Sequence, residues 1–135
     1  MELQHIIKVE ITKAETINLI DIDADLVRLI GVPQFTEIDI RKPAALVIST
    51  EKRDGVLVSD ATLTFQTCER FLQKGEHYVF LATCADGTQY LLGRAERPYP
   101  TISTAKNLQA DFSSSQLLQV TVRYSNRGYI PVVSL

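Results

Sequence analysis

Three aspartates in the N-terminal part of the chain have a spacing that metal chemistry can use. Asp21, Asp23 and Asp25 are spaced as the first three ligands of a calcium loop, in which carboxylate oxygens surround a hard cation. The sixth position of that loop is Leu26 rather than the turn-making glycine, and the twelfth is Val32 rather than a bidentate glutamate. We therefore predict no calcium site and interpret the run as a solvated turn that caps a short helix.

The cysteines and histidines are the second set of candidates for chemistry. They are Cys68, Cys84, His5 and His77. Structural zinc sites take their ligands in close pairs such as Cys-x-x-Cys, and no such pair occurs in the sequence. A nucleophile made of Cys84 and His77 is disfavoured, because one strand would point these side chains to opposite faces. We predict buried thiols, no metal, no cofactor and no enzymatic activity.

Arginines and tyrosines in the C-terminal half are the third set. Both residue types are enriched at binding surfaces, because they combine apolar area with hydrogen-bond donors. If the last strands lie beside a hairpin over residues 76–96, these side chains gather at one end of the fold as an interaction surface. The set is Arg94, Arg97, Tyr99, Arg123, Tyr124, Arg127 and Tyr129. The alternative is that they are ordinary strand-end residues whose stems cover the edges of the core.

The composition limits the class of protein that carries these residues. A chain of 135 residues with 45% hydrophobic and 22% charged residues fits one globular domain, residues 1–135. Short apolar runs and an N-terminus unlike a signal peptide lead us to expect a chain that is cytoplasmic as synthesised and does not enter a membrane. A net charge of −2 argues against a dedicated nucleic-acid binder.

The stretch over residues 76–96 predicts a central β-hairpin. Two apolar and aromatic runs are joined by Asp-Gly, whose residues tolerate the positive φ of tight turns. A two-residue loop would set Thr83 opposite Tyr90, Leu81 opposite Leu92 and His77 opposite Glu96. Both faces of the first strand are apolar, which favours a strand covered on both sides.

Further strands are indicated by alternating apolar residues. They cover residues 3–12, 35–41, 61–67 and 116–125, with a terminal strand over 129–135 that pairs back after a turn at 126–128 and places Pro131 at an edge. Residues 44–49 and 56–59 predict a second hairpin, whose charged tip at 50–55 protrudes into water.

Three segments are predicted to interrupt the β structure. Residues 26–30 have the spacing of a short helix, and residues 68–75 allow one further helical turn. The polar segment 101–115 is predicted to be an extended loop or arm. We therefore expect a mainly β fold, an antiparallel β-sandwich or partly open barrel with one or two short helices.

The runs TLTFQTCERF, GTQYLLGRAERPYP and YSNRGYIP resemble the small β-rich structural proteins of tailed phages and prophages. Proteins of this kind act as neck, connector or tail components and assemble into rings through arms and sheet edges. The resemblance implies a place in a virion and self-assembly, and it assigns no functional residues.

Two hypotheses follow. The first is a non-catalytic, self-associating structural protein that forms a homo-oligomer and contacts other assembly proteins, with the phage or prophage virion as its setting. The alternative is a monomeric β-barrel or sandwich that binds a small or extended ligand in a cavity lined by Tyr78, Phe80 and Tyr90.

Overall fold

The fold is mainly β, with 74% in strands that form an open sheet, and this confirms the predicted class. The structure is a computed structural model that describes residues 2–17, 19–23, 26–30, 35–67, 75–95, 99–107 and 117–133. In chain order the strands are β1 (Glu2–Lys13), β2 (Leu19–Asp23), β3 (Leu26–Leu29), β4 (Thr36–Ile38), β5 (Ile40–Arg53), β6 (Val56–Thr67), β7 (Tyr78–Cys84), β8 (Gln89–Leu92), β9 (Thr101–Asn107), β10 (Leu117–Arg127) and β11 (Val132–Val133). A 3-10 turn, Ala14–Thr16, follows β1.

Strand β1 belongs to two sheets and joins them. Its residues 2–5 pair with β5, whereas its residues from Ile6 to Lys13 pair with β7. The register with β7 shifts between Ile6 and Lys8, so Ile7 is a β-bulge, which bends the strand where it passes from one sheet to the other. Sheet A has the strand order β1-β5-β6-β10-β9, and sheet B has the order β2-β3-β11-β8-β7-β1, with β4 paired to β1.

The main core lies between the two sheets. Leu46, Leu63 and Phe65 of sheet A and Phe80 and Leu92 of sheet B are fully buried there. They come from alternate positions of their strands, because successive side chains of a strand point to opposite faces. Burying one such side chain contributes roughly 1.5–3 kcal/mol, so this layer stabilises the contact between the sheets.

A second, smaller core covers the other face of sheet B. Its buried residues are Ala14, Ile17, Val27, Val79, Leu81 and Leu91. Strand β7 therefore lies between two apolar layers, and every residue from Tyr78 to Ala82 is buried. This confirms the prediction that both faces of the first strand of the 76–96 hairpin are covered.

The predicted register of that hairpin is wrong by one residue. Thr83 pairs with Gln89 and Leu81 with Leu91, instead of with Tyr90 and Leu92. The loop has three residues, because the amide of Cys84 donates to the carbonyl of Thr88 at 2.8 Å and Gly87, at φ 94°, completes the turn. The shift places Leu91 in the second core and Leu92 in the main core.

The charged hairpin is confirmed, and its strands are longer than predicted. Strands β5 and β6 pair as far as Arg53 with Val56, so only Asp54 and Gly55 remain for the turn. Their φ angles of 51° and 78° are those of the two-residue turns that match the twist of a hairpin. Residues 51–56 are exposed, which places this tip in water.

The predicted short helix over residues 26–30 is wrong. Residues Leu26–Leu29 form strand β3, which lies between β2 and β11. The run is short and β-branched Val27 is 1% exposed in the second core, so pairing on both sides outweighs the helical spacing. Asp21 and Asp23 correspondingly lie in strand β2 rather than in a capping turn. The helical turn predicted over 68–75 lies outside the described residues apart from Gly75.

Two further predictions need correction near the C-terminus. Residues Thr101–Asn107 form strand β9, paired with β10 over its whole length, rather than part of a loop or arm. The remainder of that segment, 108–115, lies outside the described residues. The terminal strand is β11, and it does not pair back on β10: it lies between β3, in parallel, and β8, so Pro131 is buried rather than at an edge.

Candidate interaction surface

The seven predicted interface residues do not form one patch. Tyr124 is 2% exposed and belongs to the main core. Burial raises the pKa of its hydroxyl, and a hydrogen bond with the half-buried Arg94 partly offsets this effect. Arg94 and Tyr124 therefore act in packing between the sheets. Arg97 lies outside the described residues.

Tyr99 lies at a different place, on the second core of sheet B. Its ring stacks on the imidazole of His77 with centroids 3.9 Å apart, and its hydroxyl donates to the carbonyl of Ala95 at 3.3 Å. The predicted partner of His77, Glu96, lies outside the described residues. A surface cavity of about 190 Å³ beside this stack is bordered by Glu15 and Glu76.

The remaining three residues are exposed on or next to β10. Arg123 lies in the middle of the strand, opposite Thr62 and Thr101, and Arg127 lies at its end, opposite Val58. Tyr129 follows the bend at Gly128 and is 46% exposed. The structure thus brings Arg127 and Tyr129 near the charged hairpin, and it separates both from Tyr99.

Polar contacts fix the charged hairpin against the end of β10. Ser59 is fully buried, and its hydroxyl donates to the carbonyl of Gly128 at 2.6 Å while it lies 2.9 Å from the hydroxyl of Thr50. The amide of Gly128 donates to the carbonyl of Leu57 at 2.8 Å. A buried polar group without a partner is costly, so these bonds hold the stem of the hairpin in one arrangement.

The outer face of sheet A is a surface that the sequence reading missed. Its side chains alternate with those of the main core, and they are half-buried or exposed. By register, one row across the sheet runs Leu3, Val47, Thr62, Arg123 and Thr101. The other members include His5, Ala45, Ser49, Thr64, Gln66, Gln119, Thr121, Ser103 and Ala105, and the register adds the charged residues Arg41, Glu51, Asp60 and Arg127. Within the described part of the chain, no strand packs on this face.

The strand path also ends in two open edges. In the described residues β9 pairs with β10 alone and β2 with β3 alone. An edge strand presents backbone donors and acceptors that can pair with another strand. The pairing of β9 with β10 has no register shift, whereas that of β2 with β3 shifts between Asp21 and Asp23. The signal for β9 was its Thr and Ile content, which is typical of strands.

The candidates for metal or nucleophilic chemistry are dispersed. Cys84 is 1% exposed, and burial together with the nearby Asp86 raises the pKa of its thiol to about 11, so it is protonated at neutral pH. His5 is exposed, and Cys68 lies outside the described residues. Among the residues that the structure describes, no three His, Cys, Asp or Glu side chains are grouped as metal ligands.

The residues named for a ligand cavity belong to the main core. Tyr78 is 6% exposed and Phe80 is fully buried, and Tyr90 packs against the same cluster. A surface cavity of about 360 Å³ lies instead beside the β1 bulge, between Ile7, Lys8 and residues 37–40.

No helix in the described ranges is long and apolar enough to cross a membrane. Comparison of the chain with models of protein families, with curated proteins and with solved structures found no match.

Proposed function

We propose that this chain is a non-catalytic β domain that self-associates within a larger assembly. The observation that carries the proposal is the difference between the two sheets. Within the described residues, both faces of sheet B contribute to a core, whereas sheet A has one core face and one face that no strand covers, and it ends in the edge strand β9. Open edges and uncovered sheet faces are the places where β proteins add further chains.

The chemistry of the outer face of sheet A supports contact with protein rather than with nucleic acid. Thr, Ser, Gln and Ala residues alternate across its central strands, with Leu3 and Val47 at one side. Leu3 is 60% exposed, which is a large fraction for a leucine on a regular strand. By register Arg41, Arg123 and Arg127 share this face with the acids Glu51 and Asp60, so its charges are mixed and do not form the basic footprint that phosphate backbones require.

The charged hairpin supports assembly as well. Its tip extends past the last residue pair of β6 with β10, and Val56 is 43% exposed. Arg53 contacts Asp60 at 3.0 Å and also pairs with Glu51. A projecting element that is already ordered loses little conformational entropy when it docks on a neighbour.

The resemblance to neck, connector and tail proteins gives this proposal its setting, a component of a phage or prophage virion. In that setting the partners are further copies of the chain and adjoining assembly proteins. The alternative function, a monomeric ligand-binding barrel, has less support, because Tyr78 and Phe80 fill the core instead of lining a hollow.

The test is the mass of the purified chain in solution at increasing micromolar concentration, measured by analytical ultracentrifugation and native mass spectrometry. We expect species heavier than one chain, with a reducing agent present so that Cys68 and Cys84 cannot cross-link copies. A chain that stays monomeric and also fails to bind the products of neighbouring genes would contradict the proposal.

A further inference from the structure

Among the described strands, β9 is an edge with few of the devices that usually protect edges. It is seven residues long, TISTAKN, and pairs with β10 in unbroken register from Thr101 to Asn107. Natural edge strands are shortened, bulged or given several charges to prevent pairing with another chain. Its only charged residue is Lys106, at the last position but one. Residues 101 and 103–105 are exposed, so the strand is accessible.

Strand β2, at the other end of the strand path, has those devices. Its sequence LIDID places two acids in five residues, and its pairing with β3 is irregular between Asp21 and Asp23. If two copies paired antiparallel along β2 about its central residue, Asp21 would oppose Asp21. Like charges that lie directly opposite each other destabilise a strand pair, so this edge disfavours its own copy.

From this contrast we infer that two copies of the chain pair antiparallel through β9 about a two-fold axis at Thr104. The inference rests on the proposed self-association and names its contact. An axis at Thr104 pairs the strand over its full length, because residue 101 then meets 107, 102 meets 106 and 103 meets 105. A centre one residue earlier would bring Pro100, which has no amide donor, into the pairing.

The charges and side chains of β9 agree with this register. Lys106 lies opposite Ile102 of the second copy rather than opposite another charge, and Thr104 faces Thr104, a pair that is favourable across antiparallel strands. The pairing joins two copies of sheet A into one continuous sheet with both outer faces on the same side. The pairing of the two β9 strands involves few side chains for the area that it buries. We therefore expect the dimer to have a dissociation constant in the micromolar range.

Charge reversal at the axis tests the pairing. Thr104→Glu and Thr104→Lys each place like charges opposite each other, and each should weaken association at least about tenfold. An equimolar mixture of the two variants should associate again as a heterodimer, which native mass spectrometry identifies by its mass. Thr104 is exposed, and unchanged circular dichroism would show that both variants fold.

Cysteine cross-linking supplies the matched control. Thr104→Cys places one cysteine of each copy directly across the axis from the other. Their Cα atoms are then about 4.5–5.5 Å apart, a distance that a disulfide can bridge. Residue 105 is also exposed, but it lies opposite residue 103 of the second copy. In Ala105→Cys the two cysteines are therefore diagonal neighbours, about 7–8 Å apart. We expect a reducible dimer from the first variant, and a much lower yield from the second.

The outcomes separate this inference from the proposed function. A wild-type chain that associates while both charged variants associate equally well would overturn the β9 contact and leave self-association in place. Loss of association in Thr104→Glu alone would also overturn the two-fold pairing, because it indicates an acidic partner surface such as β2. A wild-type chain that is monomeric throughout contradicts both proposals.

Discussion

In β7 of sheet B every residue from Tyr78 to Ala82 is buried, whereas in β6 of sheet A buried residues alternate with half-buried polar residues. Both strands contribute side chains to the main core, and they differ in what covers their outer sides. The second core covers β7, and no described strand covers β6. An apolar pattern on both faces of a strand therefore marks the sheet that has a core on each side, and a polar alternation marks the sheet with one face that no described strand covers.

The largest expected effect separates the outer faces of these two sheets. Leu81→Ala removes a side chain that is 5% exposed in the second core, and it should lower the free energy of unfolding by about 2–5 kcal/mol. Thr64→Ala, on the outer face of sheet A, should change it by less than about 0.5 kcal/mol. Urea unfolding measures both. Equal costs would contradict the assignment of an uncovered face to sheet A.

A smaller effect is expected from two glycines at positive φ, one in each sheet. Gly93, at φ 115°, would bring an added Cβ to 3.0 Å from Pro100 and 3.3 Å from Val79, so Gly93→Ala should cost about 1–3 kcal/mol. Gly55, at φ 78°, has open space around it, so Gly55→Ala meets backbone strain alone and should cost about 1 kcal/mol. Thermal unfolding compares the two variants. A larger loss from Gly55→Ala would mean that the hairpin tip is packed.

The contacts of Ser59 should contribute less again. Ser59→Ala removes a donor to the carbonyl of Gly128 and a partner of Thr50, and we expect a loss of about 1 kcal/mol in the free energy of unfolding. Ser103→Ala is the control, since Ser103 is exposed on β9. Denaturant titration of both variants checks this, and an equally stable Ser59→Ala would remove the network from the account.

The titration of the Cys84 thiol should have the smallest effect on stability at neutral pH, because the thiol ionises only at alkaline pH. Burial raises the pKa of its thiol from 9.0 to about 11, so between these values the unfolded chain loses a proton that the folded chain keeps. Stability should therefore be complete below pH 9 and decline as the pH rises toward 11. Urea unfolding across this range should show a shallower decline in Cys84→Ala. An identical decline in both chains would assign it to other groups, such as Tyr124, whose pKa is also raised.

Much of sheet A could be predicted from the sequence, because its strands alternate. In β6, Leu63 and Phe65 face the core while Thr62 and Thr64 face outward, as the period-two pattern indicates. The Asp54-Gly55 turn could also be predicted, since both residues tolerate positive φ.

Parts of sheet B were harder to predict, because β7 is apolar on both faces and shows no alternation. The run that forms β3 has apolar residues at helical spacing, and only its pairing with β2 and β11 decides for a strand. An Asp-Gly turn permits loops of two or three residues, and a difference of one residue moves Leu91 from one core to the other.

The interaction surface could not be found from residue types. Tyr124 and Tyr129 are equally suited to an interface by composition, yet one is 2% exposed and the other 46%, because their distances from the main core differ. The edge position of β9 depends on the order of strands in the sheet, which follows from long-range pairing rather than from any local pattern.

Amide hydrogen exchange of the wild-type chain at low and high micromolar concentration tests the central claim, that sheet A supplies the contact between copies through β9. Exchange at an edge reports how often its amides are free of a partner. We expect the amides of Thr101–Asn107 that point away from β10 to become better protected as the concentration rises, while the amides of Leu19–Asp23 that point away from β3 stay unchanged. Protection that is independent of concentration in β9, or that rises in β2 instead, would contradict the account.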